Sequence, residues 1–258
     1  MKKLKYEDLM IPISVTILTK NSCQYLAQVL DSVSLFDEVL LYDTGSIDDT
    51  IKIAKNYSNV RVILATFEGF GPTHNKASAY AKHDWILSVD SDELVTPAMI
   101  KEILATSLQE KVVYSFPRHN YFNNKFIRWC GWYPDRQYRL YNKKETSFTN
   151  VQVHEAIIVK HMQHIALNSP LIHYSYHSIA DFLSKMQTYS TLFAEQNKGK
   201  KTASLSKALT HGIFSFFKSY ILKRGFMGGY EGFVISAYNG HTAFYKYLKL
   251  YEANRKDG

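Results

Sequence analysis

The sequence predicts an α/β protein: a mostly parallel sheet flanked by helices, with a C-terminal helical appendage. Three observations carry this. From Ile11 to Phe116, short apolar runs alternate with helical patterns about every 20–25 residues, the rhythm of parallel strands joined by crossover helices. The apolar run at Trp85–Val89 stops abruptly at Asp90-Ser91-Asp92-Glu93, and carboxylates at the carboxyl end of such a strand lie where open α/β sheets bind ligands. Beyond Ser178, strand signals give way to aromatic residues at helical spacing.

Ile11–Thr19 reads as the first strand, and Asn21 or Ser22 as the cap of a helix with Leu26, Val29, Leu30 and Val33 on one face. Glu38–Tyr42 is a second strand that ends at Asp43-Thr44-Gly45-Ser46. Ser46-Ile47-Asp48-Asp49 has the form of a capping box for a short helix. Val60–Ala65 is a third strand. Gly71-Pro72 punctuates the chain before a helix through Ala77, Ala79 and Tyr80. The acidic-ended strand is fourth. Thr96-Pro97 opens a further helix, and Val112–Phe116 is a fifth strand. Residues 117–175 break the rhythm, with strand-like pieces at Tyr138–Tyr141 and Ala156–Val159. Ser178-Ile179-Ala180-Asp181 is another capping box. A polar linker at Asn197–Lys201 precedes two last helical patterns, separated by a Gly-rich turn at Gly225–Gly229. The domain boundary is therefore expected near residue 175, giving 1–175 and 176–258.

The 258 residues carry a net charge of +8. Residues 197–258 hold 11 Lys and Arg against 3 Asp and Glu, while residues 1–196 hold 20 of each, so the whole excess lies in the last quarter. A localised basic surface implies an anionic partner. Cys23 and Cys130 are far apart and lack metal-site spacing, which argues against a disulfide framework or a zinc site. Neither a signal peptide nor a membrane-spanning run is expected. A basic nucleic-acid-binding module would explain the tail but not an acidic rim.

Thr19-Lys20-Asn21, Asp43 and Asp90/Asp92 close three strands and form one expected binding edge. Taken singly, Asp43 before Thr-Gly-Ser also suits a turn former. No Gly-rich phosphate loop is present, so a bound diphosphate needs a cation on Asp92 and a basic residue such as Lys76. The loop Trp129–Tyr141 places Trp132 with Arg136 and Arg139; aromatic faces stack on sugars and Arg grips phosphate. The stripe Ile213, Phe216, Phe217, Tyr220, Ile221 beside Lys218, Lys223 and Arg224 suits either a packed core or an anionic lipid surface.

These motifs together resemble the family 2 glycosyltransferases of the GT-A fold. The matching residues are Thr19-Lys20-Asn21, Asp43-Thr44-Gly45-Ser46-Ile47-Asp48-Asp49-Thr50, His74-Asn75-Lys76-Ala77 and Asp90-Ser91-Asp92. Arg118–Phe122, Gly131–Asp135, Arg139–Tyr141, Val153-His154-Glu155, His173-Tyr174 and Lys223–Phe233 resemble the branch that adds glucose to the inner core of bacterial lipopolysaccharide or lipooligosaccharide. His74 departs from the pattern, where relatives often have Arg.

The resemblance implies an inverting enzyme taking a hexose from a UDP-sugar, UDP-glucose foremost, to a lipid-linked phosphorylated core heptose. It implies a nucleotide-sugar half at 11–116, an acceptor half at 117–175 and a basic amphipathic helical region at 176–258. Donor contacts would come from Thr19, Asn21, Asp43 (to uracil), Asn75, Lys76 and Asp90 (to ribose or sugar). Asp92, with Asp90, would hold Mg²⁺ or Mn²⁺. Inversion needs a carboxylate base, and Glu155 is the first candidate with Asp135 second. Trp132, Arg136, Arg139 and His154 would meet the acceptor; His154 and His173 are also candidates for the metal shell or diphosphate. The expected location is cytoplasmic, peripheral on the inner face of the bacterial inner membrane. The alternatives are transfer to another lipid-linked or capsular glycan, and a nucleotidyltransferase, whose Gly-rich basic loop after the first strand is missing.

Overall fold

The computed structural model describes residues 10–151 and 155–255. His154 lies outside the described residues. The chain forms two compact units. Unit 1 comprises the chain up to Arg118 together with Asp135–His173; unit 2 comprises His119–Pro134 and the chain from Tyr174 onward.

Unit 1 holds the alternating series. β1 (Ile11–Thr19), β2 (Phe36–Asp43), β3 (Val60–Leu64) and β4 (Trp85–Asp90) pair in parallel in the order β3-β2-β1-β4. The register sets Thr19 opposite Asp43 and Leu18 opposite Asp90, so three strands finish on one rim. Sequence dictates this arrangement: Val15, Ile17, Val39, Leu41, Leu87 and Val89 are fully buried in one core, as strands covered on both faces require. α1 (Cys23–Ser32), α2 (Thr50–Ala54) and α3 (Phe70–Tyr80) are the crossovers. Leu26, Val29 and Leu30 of α1 pack into the same core.

β4 is followed by a turn and by β5 (Glu93–Val95), then α4 (Pro97–Ala105), capped as expected by Thr96, whose hydroxyl accepts from Met99 N. β6 (Val112–Phe122) runs past the expected end at Phe116. β7 (Lys125–Phe126) pairs with the far end of β6, in unit 2. β8 (Arg136–Asn142) enters antiparallel between β4 and β6. β9 (Gln163–Ala166) lies parallel to β6, and β10 (Leu171–Tyr176) pairs antiparallel with β5. The sheet is thus mixed beyond its parallel core.

Three local expectations fail for identifiable reasons. The capping box at Ser46 does not form, because the Ser46 hydroxyl turns back to Asp43 and Asp48 accepts from Thr50 instead. Gly71-Pro72 lies inside the first turn of α3 rather than before it, since Pro is tolerated there. Ala156–Val159 makes only an isolated bridge, Phe148 to Ile157, among the described residues.

Unit 2 is helical. α5 (Ile179–Asn197) opens with the expected capping box, Ser178 and Asp181 reciprocally bonded. α6 (Leu205–Phe217) continues into a π-helical turn at Lys218–Leu222, and a 3₁₀ turn at Gly225–Gly228 leads to α7 (Gly229–Arg255). α6 and α7 cross closely at Gly212 and Gly240: a Cβ on Gly240 would stand 3.0 Å from Phe216 Cβ and 3.2 Å from Gly212 O. Phe122, Ile127, Cys130, Phe182 and Ile235 form this unit's own core.

Candidate active site

The acidic rim of unit 1 is a network, not a row of open carboxylates. β4 ends at Asp90, so Asp90 and Asp92 do not lie on one extended strand. The turn at Ser91-Asp92 swings Glu93 back, and its Oε2 accepts the Asp90 amide at 3.0 Å. Arg139, delivered by β8 beside β4, closes the arrangement. Its Nη2 donates to Asp90 Oδ2 at 2.6 Å and to Glu93 Oε1 at 2.5 Å, with Nη1 at 3.4 Å from Asp90 Oδ1. Arg118 adds a second cation. Its Nη1 is 3.4 Å from Glu93 Oε1 and 4.0 Å from Asp90 Oδ2, and its Nε donates to Asp135 Oδ2 at 2.7 Å. Asp135 Oδ1 also accepts from Gln137 Nε2.

The charges explain the protonation states. Burial works to raise the Asp90 carboxyl, but the Arg139 guanidinium against it outweighs burial and holds it well below the usual range. Burial pushes Glu93 up. Arg139 is itself desolvated, yet the two carboxylates hold its proton even more firmly than usual.

Asp92 stands apart from these pairs. Its side chain is 35% exposed, and its Oδ2 lies 3.5 Å from His173 Nε2, carried on β10. A carboxylate and an imidazole facing each other are donors suited to a divalent cation. Among the described residues no group of three or more His, Cys, Asp or Glu forms a complete metal cage. A cation on this pair would need further oxygens from a ligand, which a diphosphate carries.

Several expected donor contacts are turned inward. Asp43 is 1% exposed. Its Oδ1 accepts from the amides of Gly45 and Ser46, and its Oδ2 accepts from the hydroxyls of Ser46 and Thr19. Four donors fill a carboxylate's acceptor sites, so Asp43 holds its own turn here. Thr19 is buried and serves Asp43. Asn21, at φ +54, accepts from Ile47 N through Oδ1, and its own N donates to Ser46 Oγ. Lys76 pairs with Glu68, in a cleft formed with Tyr42, Leu64 and Tyr80.

Asn75 is bonded within the protein. Its Nδ2 donates to Phe148 O at 2.9 Å and Asn150 Oδ1 at 3.1 Å, and its Oδ1 accepts from Phe148 N at 2.8 Å. His74 stacks on the Phe148 ring with centroids 4.3 Å apart, and burial brings its imidazole down to about 4, so it is neutral. Gly71 lies against the same segment; a Cβ there would come 1.8 Å from Thr149 O. The stretch Gly71–Asn75 therefore fastens the segment that leads to Glu155. Thr149 N donates to Ala156 O at 2.9 Å, and Glu155 itself is partly exposed.

The expected acceptor residues also divide. Arg139 is 8% exposed and held by Asp90 and Glu93, which leaves it no surface role. Arg136 Nη1 donates to Ser115 O and Leu167 O, so it ties strands together. Trp132, in unit 2, stacks on Tyr176 and packs on the unit's core. Asp90, expected beside Asp92 as a metal ligand, is here paired with Arg139. The structure thus gathers Asp90, Asp92, Asp135 and Arg139 with His173, and adds Arg118 and Glu93. Arg118 had one signal, its place in the Arg118–Phe122 motif.

A family model, glycosyl transferase family 2, matches residues 14–165. An uncharacterised glycosyltransferase of Rickettsia typhi is 31% identical over 268 residues, covering 95% of this chain and 88% of that one. The lipopolysaccharide core biosynthesis glycosyltransferase LpsC of Rhizobium meliloti is 24% identical over 257 residues, covering 94% and 93%. Among solved structures, TarS 1–349 of S. aureus is 14% identical, with 96% of this chain and 92% of that chain covered at a TM-score of 0.44. Glucosyl-3-phosphoglycerate synthase of Mycobacterium tuberculosis, in complex with Mn²⁺, UDP and glucosyl-3-phosphoglycerate, is 23% identical over 47% of this chain and 50% of that chain, at a TM-score of 0.36. With its sheet, its acidic rim and a match over more than half its length, this chain belongs to glycosyl transferase family 2 and is a glycosyltransferase.

Proposed function

We propose that the enzyme transfers a hexose, glucose from UDP-glucose, with inversion to a heptose of a lipopolysaccharide inner-core acceptor, using Mg²⁺ or Mn²⁺. The observation that carries the donor side is the Asp92–His173 pair, an oxygen and a nitrogen donor facing each other at the strand-end rim. The acceptor class is supported by the full-length likeness to LpsC. When bound, the cation supplies positive charge that offsets the charge growing on the departing diphosphate. Arg139 and Glu93 fix Asp90 at the rim, and its 38% exposed side chain is the proposed contact to the donor's ribose or sugar.

The base takes a proton from the acceptor hydroxyl while the hydroxyl oxygen bonds to the sugar carbon and UDP leaves with the electron pair of the broken bond. Asp135 is preferred over Glu155 for this role, because Arg118 ties it to Asp90 and Glu93.

The enzyme is proposed to work at the cytoplasmic face of an anionic inner membrane. No helix among the described residues is long and apolar enough to cross a membrane. Three residues of the helical stripe of unit 2 are exposed, Ile213 at 70%, Phe217 at 48% and Ile221 at 42%, while Phe216 and Tyr220 are partly buried. Such side chains beside the excess of Lys and Arg suit a bilayer surface.

UDP release from UDP-glucose, measured with core acceptor and with or without Mn²⁺, tests the reading. Transfer should require the cation, and Asp92→Asn should reduce it by about a hundredfold or more at unchanged melting temperature. Full turnover in the presence of chelator, or in Asp92→Asn, would exclude the metal role. Asp135→Asn should abolish transfer while Glu155→Gln retains it; the reverse result moves the base to Glu155.

A further inference from the structure

Unit 2 contains a polar pocket that the donor chemistry does not use. It has a volume of about 330 Å³ and is lined by Trp132, Ser215, Lys218, Ser219, Lys223 and Asn239, with Cys130 and Gly131. No carboxylate lines it, and neither ammonium has a carboxylate partner among the described residues. The nearest acidic residue in sequence, Glu231, is paired with Lys125 at 3.0 Å.

The pocket is built, not a chance meeting of surface lysines. Gly131 stands at φ +80, and a Cβ there would come 2.3 Å from Lys223 Nζ and 2.6 Å from its Cδ. The Lys223 stem therefore lies flat across a position where no side chain fits. Its backbone is anchored at both groups: Lys223 O accepts from Cys130 N at 3.0 Å, and Lys223 N donates to Lys218 O at 2.9 Å. The floor is an ordered polar set. Ser219 is 3% exposed and bonds Ser236 Oγ and Asn239 Nδ2, each at 3.0 Å, while Ser215 Oγ donates to Asn239 O.

We infer that this pocket binds a phosphorylated sugar. Two ammonium groups and the Asn239 amide offer donors to an anion with several oxygens. The Trp132 indole beside them offers an apolar surface to a sugar ring. The cavity is larger than a bare phosphate fills and lies at the lower end of small-ligand sites. Its identification with the acceptor's phosphorylated heptose rests on the proposed transfer; the pocket itself does not.

Calorimetric titration of the full chain with glucose 6-phosphate, inorganic phosphate and glucose tests it, with UDP plus Mn²⁺ titrated separately. Glucose 6-phosphate should bind more tightly than phosphate, and glucose should not register. Lys223→Met, which keeps the stem across Gly131, should weaken the sugar phosphate by at least about tenfold, and Lys218→Met should act in the same direction. Both should leave the UDP–Mn²⁺ titration unchanged, which separates failure here from failure of the donor reading. No binding of glucose 6-phosphate, affinity equal to inorganic phosphate, or unchanged affinity in both variants would overturn the assignment.

Discussion

The two units handle charge in opposite ways. Unit 1, near neutral with 17 Lys and Arg and 18 Asp and Glu, matches its charges one against another at the rim. Asp90, Glu93, Asp135, Arg118 and Arg139 form a closed set in which each carboxylate meets a guanidinium. Unit 2 has 14 Lys and Arg against 5 Asp and Glu and, among the described residues, gives Lys218 and Lys223 no acidic partner. Matched buried charges fix geometry, since a charge out of water is tolerated only when compensated. Unmatched charges in a polar pocket are a standing demand for an external counter-ion. In this chain the density of charged residues at a place is therefore a poor guide to ligand binding. What distinguishes Asp92 from Asp90 is not its residue type but the absence, among the described residues, of an Arg paired with it.

The contrast breaks first at Arg139. Arg139→Met keeps the stem but leaves Asp90 and the fully buried Glu93 with only the more distant Arg118 between them. Breaking a buried pair in this way typically costs about 3–5 kcal/mol. Denaturant unfolding should show a loss of that order, and Lys223→Met, removing a charge that has no acidic partner among the described residues, should lie within about 0.5 kcal/mol of the parent. Equal losses would mean that the two units do not differ in how they use charge.

A second test uses pH. His74 is 3% exposed and neutral, its imidazole lowered from 6.5 to about 4 chiefly by burial. Above about pH 6.5 neither folded nor unfolded chain protonates it, so it imposes no penalty. As pH falls from 6.5 towards 4, the unfolded chain takes the proton and the folded chain does not, so stability declines. The shift corresponds to about 3 kcal/mol once both forms are passed, and about 2 kcal/mol at pH 5. Unfolding free energies at pH 7 and pH 5 should therefore converge in His74→Phe, which also retains an aromatic face against Phe148. An undiminished acid loss in that variant would assign the sensitivity to other groups.

The parts legible in the sequence are those fixed by short-range pattern. β1, α1, the Thr96 cap and the Ser178 capping box follow from periodicity and local hydrogen bonding. So does the convergence of Thr19, Asp43 and Asp90 on one rim, because parallel strands in register bring their ends together. Partnership was not legible. Arg139 lies 49 residues from Asp90 and Asn75 lies 73 from Phe148, and no spacing rule links such positions. Exposure was equally hidden: the stripe through Ile213 and Phe217 has helical period whether or not another element covers it. The inclusion of His119–Pro134 with the C-terminal helices is of the same kind, since the contacts that decide it span about a hundred residues, as between Lys125 and Glu231.

Asn75 gives the smallest expected effect and the finest distinction. As a donor-binding residue it would act on the nucleotide-sugar, and its loss would raise the donor KM. As the structure places it, it acts on the backbone of Phe148, satisfying both N–H and C=O of a residue whose side chain is 5% exposed. Asn75→Ala removes both partners at once, and an unsatisfied backbone pair of this kind costs about 1–3 kcal/mol. The segment it fastens continues through Thr149, bonded to Ala156 next to Glu155. Loosening it should therefore raise the acceptor KM or lower kcat, with donor KM unchanged within about twofold and a melting temperature a few degrees lower. A selective rise in donor KM would return Asn75 to the nucleotide, and would mean that matched hydrogen bonds in unit 1 give way to substrate where matched charges do not.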